Sequence, residues 1–268
     1  MCGMWGEARR FFSLSDERKL AAGGSMQSVQ QGVGVIGYGR MPDHNEFLEM
    51  RVGPGHVLEP ASLCSELPGF EGAMLAARGT LFRVAAAVVG SAEREVRFRA
   101  GALRSLMDDG SLLQHGEVSS SQQRLCHYAS PNAVPFEAHT DTTFATIIPV
   151  SAVAGLEVHN AEQGWVRPEA ACQADTDGGG GLTVVVMAGE LLQLLTCGYF
   201  PAAVHRVTRG SDMGRVSAPL LVRGRWQHRI RTGDLCTNDI VRDELREMDG
   251  MECRELHNTL VRRIGLYS

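Results

Sequence analysis

His139 and Asp141 stand two residues apart in the segment FEAHTD, and in an extended chain residues i and i+2 point to the same face. An imidazole and a carboxylate therefore share one wall. A second imidazole, His205, opens the candidate strand HRVTR 66 positions later. Two histidines and one carboxylate on one face of a metal leave adjacent coordination positions open, the arrangement in which Fe(II) meets O2. Taken alone, an H-x-D pair is more often a surface hydrogen bond. Ten residues beyond His205, Arg215-Val216-Ser217 repeats the i, i+2 geometry with a guanidinium and a hydroxyl. A guanidinium fork takes a carboxylate through two parallel hydrogen bonds and the hydroxyl adds another, so this pair suits a dicarboxylate.

These residues lie in a half of the chain patterned as β structure. After residue 115 the candidate strands are RLCHY, FEAHTD, FATIIPV, LEVHN, GWVRPE, LTVVVMA, LLQLLTC, HRVTR, GRVSAPLLVR and WQHRIR, separated by Gly-, Pro- and Asn-rich loops. Many short strands at near-regular spacing indicate a sandwich or closed roll. Before residue 115, Gly69 to Gly90 reads as a helix with a broad apolar face, weakened at Gly79 and ended at Gly90. Trp5 to Leu20 reads as another, with a Ser15-Asp16-Glu17 cluster able to start a new turn. Between them, the glycines and proline of GVIGYGRMPDHNEFLEMRVG read as turns leading into the short strand EFLEMRV. Asn238 to Ile264 returns to helical patterning, and DTDGGGG (175–181) reads as a flexible loop. The expected organisation is an N-terminal helical region (1–114), a β domain (115–232) and a C-terminal helical segment (233–268).

Composition narrows the function classes. With 44% apolar and 21% charged residues among 268, the chain can bury a sizeable core, which sets aside collagen, coiled coil and acidic tails. Lys plus Arg number 26 against 31 for Asp plus Glu, a net charge of −5 without the basic excess that binds a phosphate backbone, so nucleic acid is not an expected partner. Seven scattered cysteines form no CxxC pair and fit reduced thiols. Charged residues precede any apolar run long enough for a signal peptide, and no stretch approaches the roughly 18 apolar residues of a membrane span. A cytoplasmic protein without a membrane partner is expected.

Taken in order, FFSLSDERK, GYGRMPDHNEFLEMRVG, RLCHYASP, HTDTTFATIIPV, AGLEVHNAEQGWVRPE, VVVMAGELLQLLTCGYFPAAVHRV and RVSAPLL give the chain a likeness that no single motif carries. It resembles the iron- and 2-oxoglutarate-dependent dioxygenases of the isopenicillin N synthase type. The resemblance implies a double-stranded β-helix, an eight-stranded jelly roll with helices packed outside it. It implies Fe(II) at His139, Asp141 and His205, and 2-oxoglutarate held at its distal carboxylate by Arg215 and Ser217 with a hydrogen bond from Tyr128. It also implies O2 as co-substrate, ascorbate as a stimulant, succinate and CO2 as co-products, and hydroxylation or desaturation of a small organic molecule. Cys126 stands where the family often has Asn, and a thiol is the weaker hydrogen-bond partner. Glu190 replaces the usual Asp before His205. The chain starts inside the helix that follows the family's first strand, so the N-terminal helical region is expected to be truncated.

For the substrate, alternation from Arg215 and Ser217 carries Pro219, Leu221 and Arg223 to the same inward face. Family members acting on flavonoids commonly have Phe at the position of Leu221, so Leu there disfavours a flat polyphenol. Arg223 is expected to meet an acidic group on a small, non-aromatic substrate, against the alternative of a solvated strand-end arginine. Two other readings stay open: an iron oxidase on the same scaffold that does not use 2-oxoglutarate, and an inactive jelly roll serving as a binding protein.

Overall fold

The structure is a computed structural model that describes residues 1–29, 34–41, 45–129, 136–174, 182–208, 214–235 and 243–264. The chain begins with helices α1 (Cys2–Phe12) and α2 (Asp16–Gly23), then strands β1 (Gln27–Val29), β2 (Gly34–Arg40), β3 (Asn45–Val52) and β4 (Leu58–Glu59). Helices α3 (Ser62–Glu66), α4 (Phe70–Glu95) and α5 (Ala102–Leu106) follow. The second half contains β5 (Gln122–Tyr128), β6 (Ala145–Pro149), β7 (Leu156–Asn160), β8 (Gly164–Val166), helix α6 (Pro168–Ala174), β9 (Val184–Ala188), helix α7 (Glu190–Leu195), β10 (His205–Val207), β11 (Arg215–Ser217) and β12 (Leu220–Val222). Short helices α8 (Thr232–Leu235) and α9 (Asp243–Arg246) lead to α10 (Cys253–Ile264).

The larger sheet runs β1-β2-β3-β5-β12-β6-β9, with β11 also paired to β5 and β4 to β3, and the smaller runs β10-β7-β8. Every pair is antiparallel. The two sheets face each other as a jelly roll and share the walls of a cavity between them. β11 and β12 keep one register on β5 across Ala218-Pro219, since Ser217 lies opposite Cys126 and Leu220 opposite Gln123. Residues 215, 217, 219 and 221 therefore share one face.

The N-terminal region departs from the helical expectation, because β1 to β3 extend the larger sheet by three strands. The glycines of GVIGYGR are close-approach positions within β2 rather than turns. A Cβ at Gly39 would meet the Phe47 ring at 2.5 Å, and Gly37, at φ +114°, lies where a Cβ would meet Ser25 O at 2.5 Å. The Ser15 hydroxyl accepts from Arg18 N and starts α2 as a separate helix.

α4 runs through Gly90 to Glu95, longer than its glycines suggest. Its first turns bury Phe70 and Met74 against Phe11, Leu48 and Leu125, and its later turns bury Leu81, Ala85 and Val89 against Phe144, Ile147, Leu220 and Val222. By length and composition alone α4 could cross a membrane, yet this buried stripe is that of a core helix lying on a sheet. The cysteines among the described residues are all free. The DTDGGGG loop lies outside the described residues.

Candidate active site

The wall carrying His139 is a single bridge rather than the regular strand expected from FEAHTD. His139 N donates to His205 O at 3.0 Å and His205 N returns a bond to His139 O at 2.9 Å, a reciprocal pair that brings the two imidazole centroids to 4.3 Å. Each ring is then fixed by its own chain: His139 Nδ1 lies 2.7 Å from Glu137 O, and His205 Nδ1 lies 3.1 Å from Ala203 O. A carbonyl accepts only from a protonated ring nitrogen, so both Nε2 atoms are left as lone-pair donors. Burial, followed by the neighbouring His205, pushes the His139 imidazole below its ordinary range and favours the neutral, ligating form.

Asp141 completes the set. Its Oδ1 lies 4.0 Å from His139 Nε2 and its Oδ2 lies 3.8 Å from His205 Nε2, and one ligand atom from each residue falls within 4.8 Å of the others. Thr146, on β6, donates through its hydroxyl to Asp141 Oδ2 at 2.5 Å. Among the described residues this is the group of three or more ligand-competent side chains that converges on a metal-sized space.

Helix α7 holds the loop that carries His139 and Asp141. LLQLLTC reads as a strand in the sequence, but a short apolar run fits either element by periodicity, and here it winds as a helix. Glu190 N donates to Asp141 O at 2.8 Å, and its carboxylate accepts from the Thr140 hydroxyl at 2.6 Å. A Cβ at Gly189 would meet Thr143 Oγ1 at 2.2 Å, so only glycine lets α7 approach the His-x-Asp loop this closely.

Arg215 and Tyr128 are direct cross-strand partners, as are Ser217 and Cys126, and all four line the cavity beside the triad. The Arg215 guanidinium stands 5.3 Å from the Tyr128 ring and is 1% exposed. Burial drives both the Tyr128 hydroxyl and the Cys126 thiol upward in pKa, so both remain protonated. Arg215 is already engaged: both oxygens of Glu169, on α6, accept from its Nη2 at 2.9 and 3.0 Å. Its Nε and Nη1 are buried without a partner. Glu169 also accepts from Gly155 N at 2.8 Å, Leu156 N at 3.0 Å and Ser151 N at 3.4 Å. Burial alone would raise the Glu169 carboxyl; Arg215 and these backbone N–H groups outweigh it and hold the carboxyl below the ordinary range. Glu169 is hidden in the sequence because GWVRPE reads as strand, whereas β8 ends at Val166 and Pro168 starts a helix.

Leu221 lines the cavity and Arg223 does not. The pairing of β12 with β5 ends at Leu221 opposite Gln122. Beyond it, Arg223 N donates to the Ser121 hydroxyl, and Arg223 Nη1 donates to Gln122 Oε1 at 2.8 Å, turning the side chain toward buried Arg51 and away from the triad. Besides Arg215, the cation that reaches the cavity is Arg124, on the same face of β5 as Cys126 and Tyr128, a position the alternation of RLCHY could have indicated. Its guanidinium sits 5.8 Å from the Phe47 ring and 6.0 Å from that of Phe136. Burial opposes its charge, but its ion pair with fully buried Glu49 prevails and holds it above the usual range. His127 faces away and packs against the Phe12 ring.

The sequence profile of the 2OG-Fe(II) oxygenase superfamily matches residues 119–224, the stretch that supplies every residue lining this cavity. Over those residues the chain is similar to that superfamily. Members of the 2OG-Fe(II) oxygenase superfamily use Fe(II) and 2-oxoglutarate, and the triad together with the unpartnered N–H groups of Arg215 fits both. Among curated relatives, gibberellin 3-beta-dioxygenase 4 of Arabidopsis thaliana is 31% identical over 119 residues, which is 44% of this chain and 31% of the relative. Gibberellin 3-beta-dioxygenase 2-2 of Triticum aestivum is 27% identical over 216 residues, 74% of this chain and 55% of the relative. The chain thus spans between about a third and about half of the length of these two relatives. Among solved structures, a 2OG-Fe(II) oxygenase family protein from Caulobacter crescentus superposes with a TM-score of 0.70 at 20% identity, covering 98% of this chain and 85% of that one. A full-length Neurospora crassa protein solved in complex with alpha-KG and 5-formyluracil gives 0.67 at 19%, covering 98% and 81%. Both structural likenesses bear on the jelly-roll fold.

Proposed function

We propose that this protein is a 2OG-Fe(II) dioxygenase that hydroxylates or desaturates a small organic molecule in a reducing, cytoplasmic compartment, with succinate and CO2 as co-products. One observation carries the reading: two histidines whose Nδ1 atoms are tied to carbonyls turn their Nε2 atoms to Asp141, in the same cavity as the unpartnered N–H groups of buried Arg215. Fe(II) held by His139, Asp141 and His205 supplies the activation of O2 and the oxidative decarboxylation of a 2-oxo acid. The protein does the rest through position. Arg215 and Ser217 meet the distal carboxylate of the oxo acid, Tyr128 adds a hydroxyl, and Ile148, Leu156, Val207 and Leu221 line the cavity with apolar surface that keeps water from the oxidant.

Arg124, rather than Arg223, is the cation that meets the substrate. Although Glu49 pairs with it, its guanidinium lines the cavity beside two aromatic rings and offers N–H groups to an acidic group on a small molecule with an apolar body, and Leu221 offers no ring for stacking. The molecules named with the relatives, gibberellin for the plant enzymes and 5-formyluracil for the Neurospora protein, favour a small-molecule substrate without choosing one.

The test is aerobic incubation with Fe(II), ascorbate and 2-oxoglutarate, reading succinate. Expected is slow uncoupled succinate formation that carboxylate-bearing metabolites stimulate, and its loss in His205→Ala and Asp141→Ala with the circular dichroism of the fold retained. Activity surviving in either variant would remove the triad from the mechanism. A second reading, an oxidase without 2-oxoglutarate, draws on Glu169, which already neutralises the carboxylate anchor. O2 consumption without succinate would favour it.

A further inference from the structure

A guanidinium offers a carboxylate two edges, Nε with Nη2 and Nη1 with Nη2, and both use Nη2. In this protein Nη2 of Arg215 is taken by both oxygens of Glu169, and the donors left over, Nε and Nη1, lie on opposite edges. An incoming carboxylate therefore finds no free two-donor fork. Glu169 cannot easily step aside, because it is fully buried on α6 and is pinned by the backbone N–H groups of Gly155 and Leu156. Nor can Arg215 slide along the strand toward β7, since the space a Cβ would need at Gly155 is already filled by Arg215 Cδ at 2.6 Å and Nε at 2.9 Å.

We propose that Glu169 is a built-in competitor for the co-substrate's distal carboxylate, a positioning residue that neutralises Arg215 and occupies the nitrogen common to both of its edges. This rests on the reading of the cavity as a 2-oxo acid site. The distal carboxylate then meets one guanidinium N–H and the Ser217 hydroxyl in place of a full fork, and its charge meets a neutral pair in place of a lone cation. The chain therefore discriminates weakly between 2-oxoglutarate and a 2-oxo acid that ends in a methyl group. In exchange, the buried Arg215 has a counter-charge when the site is empty, which an unpaired buried guanidinium would lack.

Glu169→Gln separates these effects. The amide oxygen can still accept from Gly155 and Leu156 and keeps the 3.0 Å contact with Nη2, while the amide nitrogen, itself a donor, replaces the oxygen that took the 2.9 Å contact, so one Nη2 contact and the neutralising charge are removed. The experiment is anaerobic calorimetric titration of the Mn(II)-loaded protein with 2-oxoglutarate and, separately, with 2-oxopentanoate, which has the same carbon chain without the distal carboxylate. Expected for the wild type are affinities within about tenfold of each other, and for Glu169→Gln a gain of about tenfold or more for 2-oxoglutarate with 2-oxopentanoate unchanged. An unchanged ratio, or weaker 2-oxoglutarate binding in the variant, overturns the competitor role. If Glu169→Gln does not fold, the wild-type ratio decides: a preference for 2-oxoglutarate above a hundredfold overturns the proposal and a ratio near one supports it. Should neither oxo acid bind the Mn(II)-loaded wild type, the 2-oxo acid reading of the cavity fails, and this proposal with it.

Discussion

Thr146→Val tests whether the metal site is assembled by the chain before any metal arrives. The Thr146 hydroxyl donates to Asp141 Oδ2 at 2.5 Å from a residue 2% exposed, and valine keeps the shape while deleting the donor. A hydrogen bond to a charged group contributes about 1.5–3 kcal/mol. At about 1.4 kcal/mol per decade, that is a loss of roughly 10- to 150-fold in whatever equilibrium needs Asp141 held in place. Removal of such an outer hydrogen-bond partner typically costs about 10- to 100-fold in metal affinity, which agrees. The assay is anaerobic titration with Co(II), followed by its visible d–d absorption, alongside thermal melts of the metal-free protein. Thr143→Val is the control, because the Thr143 hydroxyl touches that of Thr146 at 3.2 Å but makes no bond to Asp141. Metal affinity within threefold of wild type in Thr146→Val, or an equal loss in Thr143→Val, would refute the reasoning.

Further consequences concern the same cavity and the buried groups behind it. Gly155→Ala places a methyl 2.6 Å from Arg215 Cδ, so overpacking should cost about 1–3 kcal/mol in a urea melt and weaken 2-oxoglutarate binding; unaltered binding would mean that the guanidinium adjusts freely. Arg223→Ala should lower stability while leaving the KM of an acidic substrate unchanged, and Arg124→Ala should raise that KM, so the reverse pattern would contradict the placement of these two side chains. Burial, with Arg223 and Arg51 nearby, holds the His257 imidazole down at about 3 against its ordinary 6.5. The unfolded chain then binds one more proton than the folded one between those values, so stability falls as pH drops below 6.5, by up to about 1.4 kcal/mol per pH unit. Urea midpoints at pH 7.5, 6 and 5 should show this fall, and His257→Gln should flatten it; an identical slope in the variant would assign the effect to other histidines.

The residues that converge on the cavity are legible in the sequence because their spacing survives any change in the elements around them. His139, Asp141, Arg215 and Ser217 are i, i+2 pairs, and such a pair shares a side on a ladder or in a single bridge alike. What the sequence hid were contacts made by geometry between distant segments. Glu169 reaches Arg215 across 46 positions from a helix too short to announce itself, and Arg124 reads as an ordinary strand residue until Phe47 and Phe136 are seen beside it. GVIGYGR misled because glycine marks a close approach as readily as a turn, and the partner that comes close, Phe47, belongs to another strand. LLQLLTC misled because a short run of apolar residues carries no period of its own.

The reciprocal backbone bonds between His139 and His205 join two points 66 positions apart in the chain. Closing a flexible loop of that length costs roughly 4 kcal/mol of chain entropy by the logarithmic scaling of loop closure. Here the cost falls on folding rather than on metal capture, so the ion meets ligands already gathered. The amide protons of His139 and His205 should accordingly exchange with solvent only through the larger openings of the sheet, with or without metal. Loss of iron would then empty the centre without loosening it, and the metal-free protein would wait in a form ready to be reloaded.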